Sequence, residues 1–133
     1  FQYKQVITDR EYRDSVEEYG YDKAPRVGMG AEAIKELLQA IDKQCTDASQ
    51  LHQYFPAGGV DGTLKNAYKL DRGDVFVWAK TGTINAVHCQ SGYILTRQGR
   101  RLAFSFQNNN YISTAGPVRR EMVRIISYIR ENY

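Results

Sequence analysis

The chain has 133 residues, of which 42% are hydrophobic and 25% charged, and its formal net charge is +3. This length suits one domain with a core of its own, and the composition excludes a disordered or fibrous protein. A charge excess this small does not predict a nucleic-acid partner, and no apolar stretch reaches the roughly 18 residues of a membrane-spanning helix. Because the chain begins with Phe1, we expect it to be part of a longer protein.

The N-terminal segment, residues 1–26, carries four tyrosines among many charges. Thr8 and Asp9 favour a short helix that runs to about Glu18. This pattern is typical of a surface helix, and it also suits an ordered remnant of an upstream domain. We therefore leave residues 1–26 unassigned and expect residues 27–133 to belong to one domain.

The next segment, from Gly30 to about Lys43, predicts an amphipathic helix packed against a core. Its apolar residues recur at helical spacing, and they are Ile34, Leu37, Leu38 and Ile41. Residues 46–59 are polar and end in Gly58-Gly59, which predicts a loop. A phosphate-binding loop is not predicted there, because these glycines are not followed by Gly-Lys at the required offset.

Three strands are predicted in the second half of the chain, over Asp74–Lys80, Val87–Thr96 and Arg101–Asn108. Gly99 lies between the last two strands and can adopt the positive φ of a tight hairpin, so this pair should be antiparallel. Large apolar residues alternate with smaller or polar ones in the third strand, which places one set on a single face. That set is Leu102, Phe104 and Phe106.

A C-terminal helix should cover this face, beginning near Thr114 with Pro117 in its first turn. Its apolar side is predicted to carry Val118, Met122, Ile125, Ile126 and Ile129, and its arginines should lie mostly on the other side, at Arg119, Arg120, Arg124 and Arg130. The predicted fold class is α+β: a three-stranded antiparallel sheet packed by the C-terminal helix and by an additional amphipathic helix.

The chemistry-bearing stretch is Lys80-Thr81-Gly82-Thr83, which we expect where the first strand ends. Lys-Thr-Gly is one of three signatures of penicillin-binding proteins and class A β-lactamases. With Gly58–Asn66 before it and Gly92–Ser105 after it, the chain resembles the C-terminal part of DacB-type D-alanyl-D-alanine carboxypeptidase/endopeptidases, the class C low-molecular-mass penicillin-binding proteins. The resemblance extends from about Gly28 to the C-terminus.

The resemblance implies the C-terminal part of a β-lactamase/transpeptidase-like fold and a role for each motif residue. Lys80 would be catalytic, tuning the proton network and helping to bind the substrate's terminal carboxylate. Thr81 would line the substrate site, and Thr83 would offer a backbone N–H to the oxyanion and a hydroxyl to the carboxylate. Gly82 would leave the strand edge open to an extended peptide, so Gly82→Ala should lose acylation with little loss of fold.

The serine nucleophile of this chemistry is absent from the chain. No serine is followed by lysine three residues later, and no Ser-x-Asn or Tyr-x-Asn triplet is present; the serines are Ser15, Ser49, Ser91, Ser105, Ser113 and Ser127. This chain alone is thus predicted to be inactive. By resemblance, the intact protein would bind peptidoglycan stem peptides and β-lactams, outside the cytoplasm in the periplasm or cell envelope, and would need no cofactor.

Two other interpretations stay open. The same scaffold could be a non-catalytic module that binds a peptide or a partner, if the longer protein also lacks the nucleophile. The chain could also self-associate through an open edge of its last strand.

Histidines and cysteines do not predict a metal site. Adjacent His88 and Cys89 should point to opposite faces of a strand, and neither Cys45 nor His52 forms a spacing typical of zinc ligands. A Ser-His-Asp triad has no Gly-x-Ser-x-Gly elbow to support it. We expect His88 to be a strand residue with a local hydrogen bond rather than a base, while the state of the two cysteines stays open.

Overall fold

The structure is a computed structural model, and it describes residues 31–69, 72–112 and 114–133. The chain divides into two compact units, Phe1–Glu36 and Leu37–Tyr133. Residues 31–36 are the part of the first unit that is described, and they form the beginning of a helix. The short helix predicted before Glu18 lies outside the described residues.

The described elements follow one another in an α+β order. They are helix α1 (Ala31–Gln44), two 3₁₀ helices (Ala48–Gln53 and Gly62–Leu64), strands β1 (Val77–Ile84), β2 (Val87–Leu95) and β3 (Arg101–Asn109), and helix α2 (Ala115–Asn132). In the part of the chain that these elements cover, no helix is both long and apolar enough to cross a membrane.

The three strands form one antiparallel sheet in the order β1-β2-β3, as predicted. Gly99 adopts a φ of 77° in the β2–β3 turn and donates to the Thr96 carbonyl at 3.0 Å, so the hairpin prediction is confirmed. The prediction for β1 was wrong at both ends. The strand begins at Val77 and continues to Ile84, because β2 pairs with it as far as Val87.

The hydrophobic core of the second unit lies between the sheet and α2. Val77 and Ala79 of β1 and Ile94 of β2 pack with Ile126 of α2. The cluster is completed by Leu64, Tyr68 and Phe76. Phe104 and Phe106 pack against this cluster, which confirms the face predicted from their alternation in β3.

The opposite face of the sheet contacts the end of α1. The Tyr93 hydroxyl donates a hydrogen bond to the carbonyl of Leu38, and the Arg101 guanidinium lies 2.6 Å from the Asp42 carboxylate. Leu38 is buried, but Leu37 is 46% exposed, so the predicted apolar stripe was wrong at Leu37. The buried side of this part of the helix is narrower than the sequence pattern indicated.

A 3₁₀ helix occupies Ala48–Gln53, where a loop was predicted. Asp47 caps it, since its carboxylate accepts a hydrogen bond from the Ser49 N–H at 2.7 Å. The Gln50 side-chain oxygen in turn accepts from the Asp47 N–H at 3.2 Å. This reciprocal capping satisfies backbone donors that a polar segment would otherwise give to water.

Arg130 was predicted to lie on the exposed side of α2 with the other arginines, and this prediction was wrong. It is only 9% exposed, its guanidinium lies 4.4 Å from the centroid of the Phe76 ring, and it donates to the carbonyl of Leu95. The cation–π contact and the carbonyl offset the desolvation of the charge. The remaining arginines are exposed as predicted, at Arg119, Arg120 and Arg124.

Candidate functional site

The Lys-Thr-Gly motif lies inside β1, where the outer edge of the sheet changes from paired to open. Before the motif, the Gly58 N–H donates to the Val77 carbonyl at 2.8 Å, and the Ala79 N–H donates to the Pro56 carbonyl at 3.1 Å. Beyond Ala79, no strand among the described residues pairs with this edge. Along a strand, the N–H groups of every second residue point to the same edge of the sheet. The N–H of Ala79 points to the outer edge, so the N–H groups of Thr81 and Thr83 face the open part of that edge.

The side chains of the motif divide between the two faces of β1. Thr81 and Thr83 share the face of Val77 and Ala79 that is covered by α2, whereas Lys80 and Gly82 belong to the opposite face. Lys80 is exposed, and its Nζ donates to the Thr81 carbonyl at 2.5 Å. This contact brings the ammonium group to the edge itself.

Three of the four predicted site residues line one cleft of about 440 Å³: Lys80, Thr81 and Thr83. Gly82 does not line this cleft, and a Cβ added to it would meet nothing within 4 Å. The Thr81 hydroxyl donates to the Thr63 hydroxyl at 2.8 Å, which ties the motif to the second 3₁₀ helix. The motif therefore combines a fixed hydroxyl with an exposed ammonium and an open glycine position.

His88 lies directly opposite Thr83 in the β1–β2 register and is 1% exposed. Its Nδ1 is 2.7 Å from Thr83 Oγ1, so the predicted local hydrogen bond is confirmed. Arg119 Nη2, from the first turns of α2, donates to the same hydroxyl at 3.4 Å. Burial, and to a lesser extent the charge of Arg119, lowers the pKa of His88, which keeps the imidazole neutral at neutral pH.

Gln90 and Tyr68 form the buried polar contact beside this cleft. The Gln90 amide donates to the Tyr68 hydroxyl at 2.6 Å, and both side chains are buried. Burial raises the pKa of Tyr68 to about 12, so the phenol stays neutral. The pair holds β2 against the segment that precedes β1.

Sequence reasoning did not identify Thr63, Gln90 or Arg119 as neighbours of the motif. Gln90 carried a signal, because it alternates with His88 on a strand face that also bears Ile94. Two polar residues on the core face of a strand require partners, and such partners mark polar sites. Arg119 carried no signal, since exposed arginines are ordinary on a helix.

Within the described ranges, no group of three or more His, Cys, Asp or Glu side chains is arranged so that it could hold a metal ion. His52 Nε2 lies 3.1 Å from the Asp61 carboxylate, and the Ala57 N–H donates to that carboxylate at 2.7 Å. Cys45 and Cys89 are not bonded to each other.

We expect the fold to lose stability between pH 7.5 and pH 5.5 through His88. Its pKa is lowered in the folded chain, so below about pH 6.5 the unfolded chain binds a proton that the folded chain resists. The stability is complete above that pH and is lost as the pH falls through the folded-state pKa. Thermal unfolding midpoints of His52→Gln chains, in which His88 is the sole histidine, measure the effect.

The same measurement on a His52→Gln/His88→Asn chain is the control, and its midpoint should change less across this window. Three carboxylates have lowered pKa values: Asp47 and Asp61, from 3.8, and Glu121, from 4.5. They titrate below this pH window and do not contribute to the response. An equal acid response in the two chains would show that the imidazole is not the group responsible.

Comparison with known proteins gives one family match. Residues 26–128 match the model of a family described as the D-Ala-D-Ala carboxypeptidase 3 (S13) family. Penicillin binding protein 4 (dacB) of Haemophilus influenzae superimposes with a TM-score of 0.63 at 22% identity, covering 84% of this chain and 26% of that chain. A predatory endopeptidase of Bdellovibrio bacteriovorus, solved with an immunity protein, gives 0.64 at 20% identity, covering 83% and 29%.

These structural similarities, below 25% identity, establish the fold. A different similarity is to the DNA-directed RNA polymerase subunit beta' of Lachnoclostridium phytofermentans, 61% identical over 41 residues, which are 31% of this chain and 3% of that subunit. The chain thus spans a small fraction of each relative. A match over 3% of a polymerase subunit does not assign this chain to that protein.

Proposed function

Because the chain belongs to the D-Ala-D-Ala carboxypeptidase 3 (S13) family, we propose that it is the Lys-Thr-Gly-bearing part of a serine-type D-alanyl-D-alanine carboxypeptidase. The observation that carries the proposal is the convergence of Lys80, Thr81 and Thr83 on one cleft at the open edge of β1. The longer protein would hydrolyse peptidoglycan peptides outside the cytoplasm, in the periplasm or cell envelope.

The open edge suits a peptide substrate. An extended peptide can pair with the outward N–H groups of Thr81 and Thr83, as in β-strand addition. The N–H of Thr83 would then stabilise the oxyanion, and the hydroxyl of Thr83 would donate to the terminal carboxylate. The exposed strand position of Gly82 leaves room for the peptide backbone.

Lys80 would supply the positive charge of the site. Its Nζ donates to the carbonyl of Thr81 at the same edge, so the ammonium would be available there to a substrate carboxylate. A lysine serves this role because its ammonium is a compact charge with three donors on a flexible stem.

The chain alone is proposed not to acylate, because its 133 residues contain no Ser-x-x-Lys. The test is labelling with a fluorescent penicillin, applied to this chain and to the full-length product of its gene. We expect label on the full-length product and none on the 133-residue chain. A full-length product that stays unlabelled would refute the proposal.

A non-catalytic binding module is the second candidate, and the missing nucleophile favours it. The two candidates differ in what precedes the chain, since the enzyme requires Ser-x-x-Lys and Ser-x-Asn there. Self-association is a separate proposal, supported by the position of β3 at the edge of the described sheet. Light scattering coupled to size exclusion tests it, and a mass that stays monomeric at all concentrations would exclude it.

A further inference from the structure

We propose that His88 is a positioning residue that makes the Thr83 hydroxyl a dedicated hydrogen-bond donor toward the cleft. The identity of the acceptor, a substrate carboxylate, rests on the proposed function. The role of His88 itself rests on three observations: its contact with Thr83, its burial, and the second donor that Arg119 directs at the same hydroxyl.

A threonine hydroxyl has one proton to donate and two lone pairs that accept. Arg119 can only donate, so its contact at 3.4 Å uses one lone pair of Thr83 Oγ1. His88 Nδ1 at 2.7 Å either donates to the second lone pair or accepts the hydroxyl proton. The tautomer of His88 therefore decides whether the Thr83 proton is available to a ligand.

The environment of the other ring nitrogen selects between the tautomers. Among the described residues, the buried Nε2 of His88 has no hydrogen-bond partner. A buried N–H without an acceptor is rarer and less tolerable than a buried lone pair without a donor. The proton is therefore placed on Nδ1, where it donates to Thr83, and Nε2 keeps the lone pair.

In this arrangement, Thr83 Oγ1 accepts from both His88 and Arg119, and the described part of the chain offers its proton no acceptor. The hydroxyl is then available to donate to a group in the cleft. Charged groups reach the cleft from two elements, Lys80 from β1 and Arg119 from α2, and both are cationic. The other polar side chains that line the cleft, Gln90 among them, carry no negative charge, so an anionic oxygen is the acceptor that the site favours.

Nitrogen-15 NMR of the 133-residue His52→Gln chain tests the tautomer directly, because His88 is then its only histidine. We expect the imidazole proton on Nδ1 at neutral pH. In a Thr83→Val chain, which keeps the shape of residue 83 without the hydroxyl, the Nε2–H population should rise. A Thr83→Ser chain keeps the hydroxyl and should retain the Nδ1–H form. A proton found on Nε2 in the His52→Gln chain would overturn the proposal.

A second measurement uses the full-length product and separates binding from chemistry. With a D-alanyl-D-alanine peptide as substrate, His88→Leu should raise KM by about tenfold with a smaller change in kcat, and His88→Asn should restore part of the loss by donating from its amide. Equal KM values in the three proteins would overturn the role of His88. Failure of the full-length product to turn over the peptide would refute the proposed function alone, since the NMR result does not depend on activity.

Discussion

Replacing Gly92 with alanine is expected to lower the free energy of unfolding by about 3 kcal/mol or more, the upper range of overpacking effects. Gly92 lies in the central strand, opposite Ala79 of β1 and Phe104 of β3. An added Cβ would lie 2.0 Å from the Trp78 carbonyl oxygen and 2.6 Å from the Ala79 Cα. Backbone atoms cannot rotate away, so the strands themselves would have to separate.

Chemical denaturation of the 133-residue chain measures this effect, and Gly82→Ala is its matched control. Gly82 is also a strand glycine, but its added Cβ would meet nothing within 4 Å. We expect its unfolding free energy to stay within about 0.5 kcal/mol of the original. If Gly92→Ala were as stable as Gly82→Ala, the close approach of β1 to β2 at this position would be wrong.

Replacing Lys80 with glutamine is expected to slow penicillin acylation of the full-length product by about 100-fold or more, the usual scale of lost proton-transfer or charge stabilisation in a site. Lys80 is exposed and contacts the carbonyl of Thr81, so its loss removes a charge from the cleft without opening the core. Glutamine keeps the length of the side chain approximately and retains a donor, which isolates the contribution of the charge.

The rate of labelling at limiting penicillin is the measurement, and Lys65→Gln is the matched control. Lys65 is an exposed lysine that does not line the cleft of Lys80. We expect Lys65→Gln to label at the original rate. An unchanged rate in Lys80→Gln would mean that the ammonium is not part of the acylation machinery, and Gly82→Ala would then test whether the strand edge still matters.

Much of the fold followed from periodicity. The three strands, the β2–β3 hairpin and the C-terminal helix that packs on the sheet were predicted because alternation in a strand and spacing in a helix directly report which side chains face the core. The β2–β3 turn was also predictable from a local feature, because Gly99 adopts a φ of 77°, a conformation that glycine adopts without strain. The motif residues were likewise identifiable from their order in the chain.

Arg130 and Gln90 show where periodicity fails. The buried guanidinium of Arg130 contacts the Phe76 ring and the carbonyl of Leu95, which belong to other segments of the chain. The burial of Gln90 is tolerated because its amide donates a hydrogen bond to the Tyr68 hydroxyl. Neither partner is a near neighbour in the chain, so no local pattern could reveal that these polar groups are satisfied.

The sequence by itself determined the two long helices, the three strands, most of their buried faces and the position of Lys80-Thr81-Gly82-Thr83 beside the first strand, because these are local consequences of residue order. Only the tertiary structure decided that the motif lies within β1 rather than at its end, and that His88 and Arg119 converge on Thr83. The physical reason is that strand ends and hydrogen-bond partners are set by pairing between segments distant in the chain, and such pairing becomes definite only when the strands and α2 pack together.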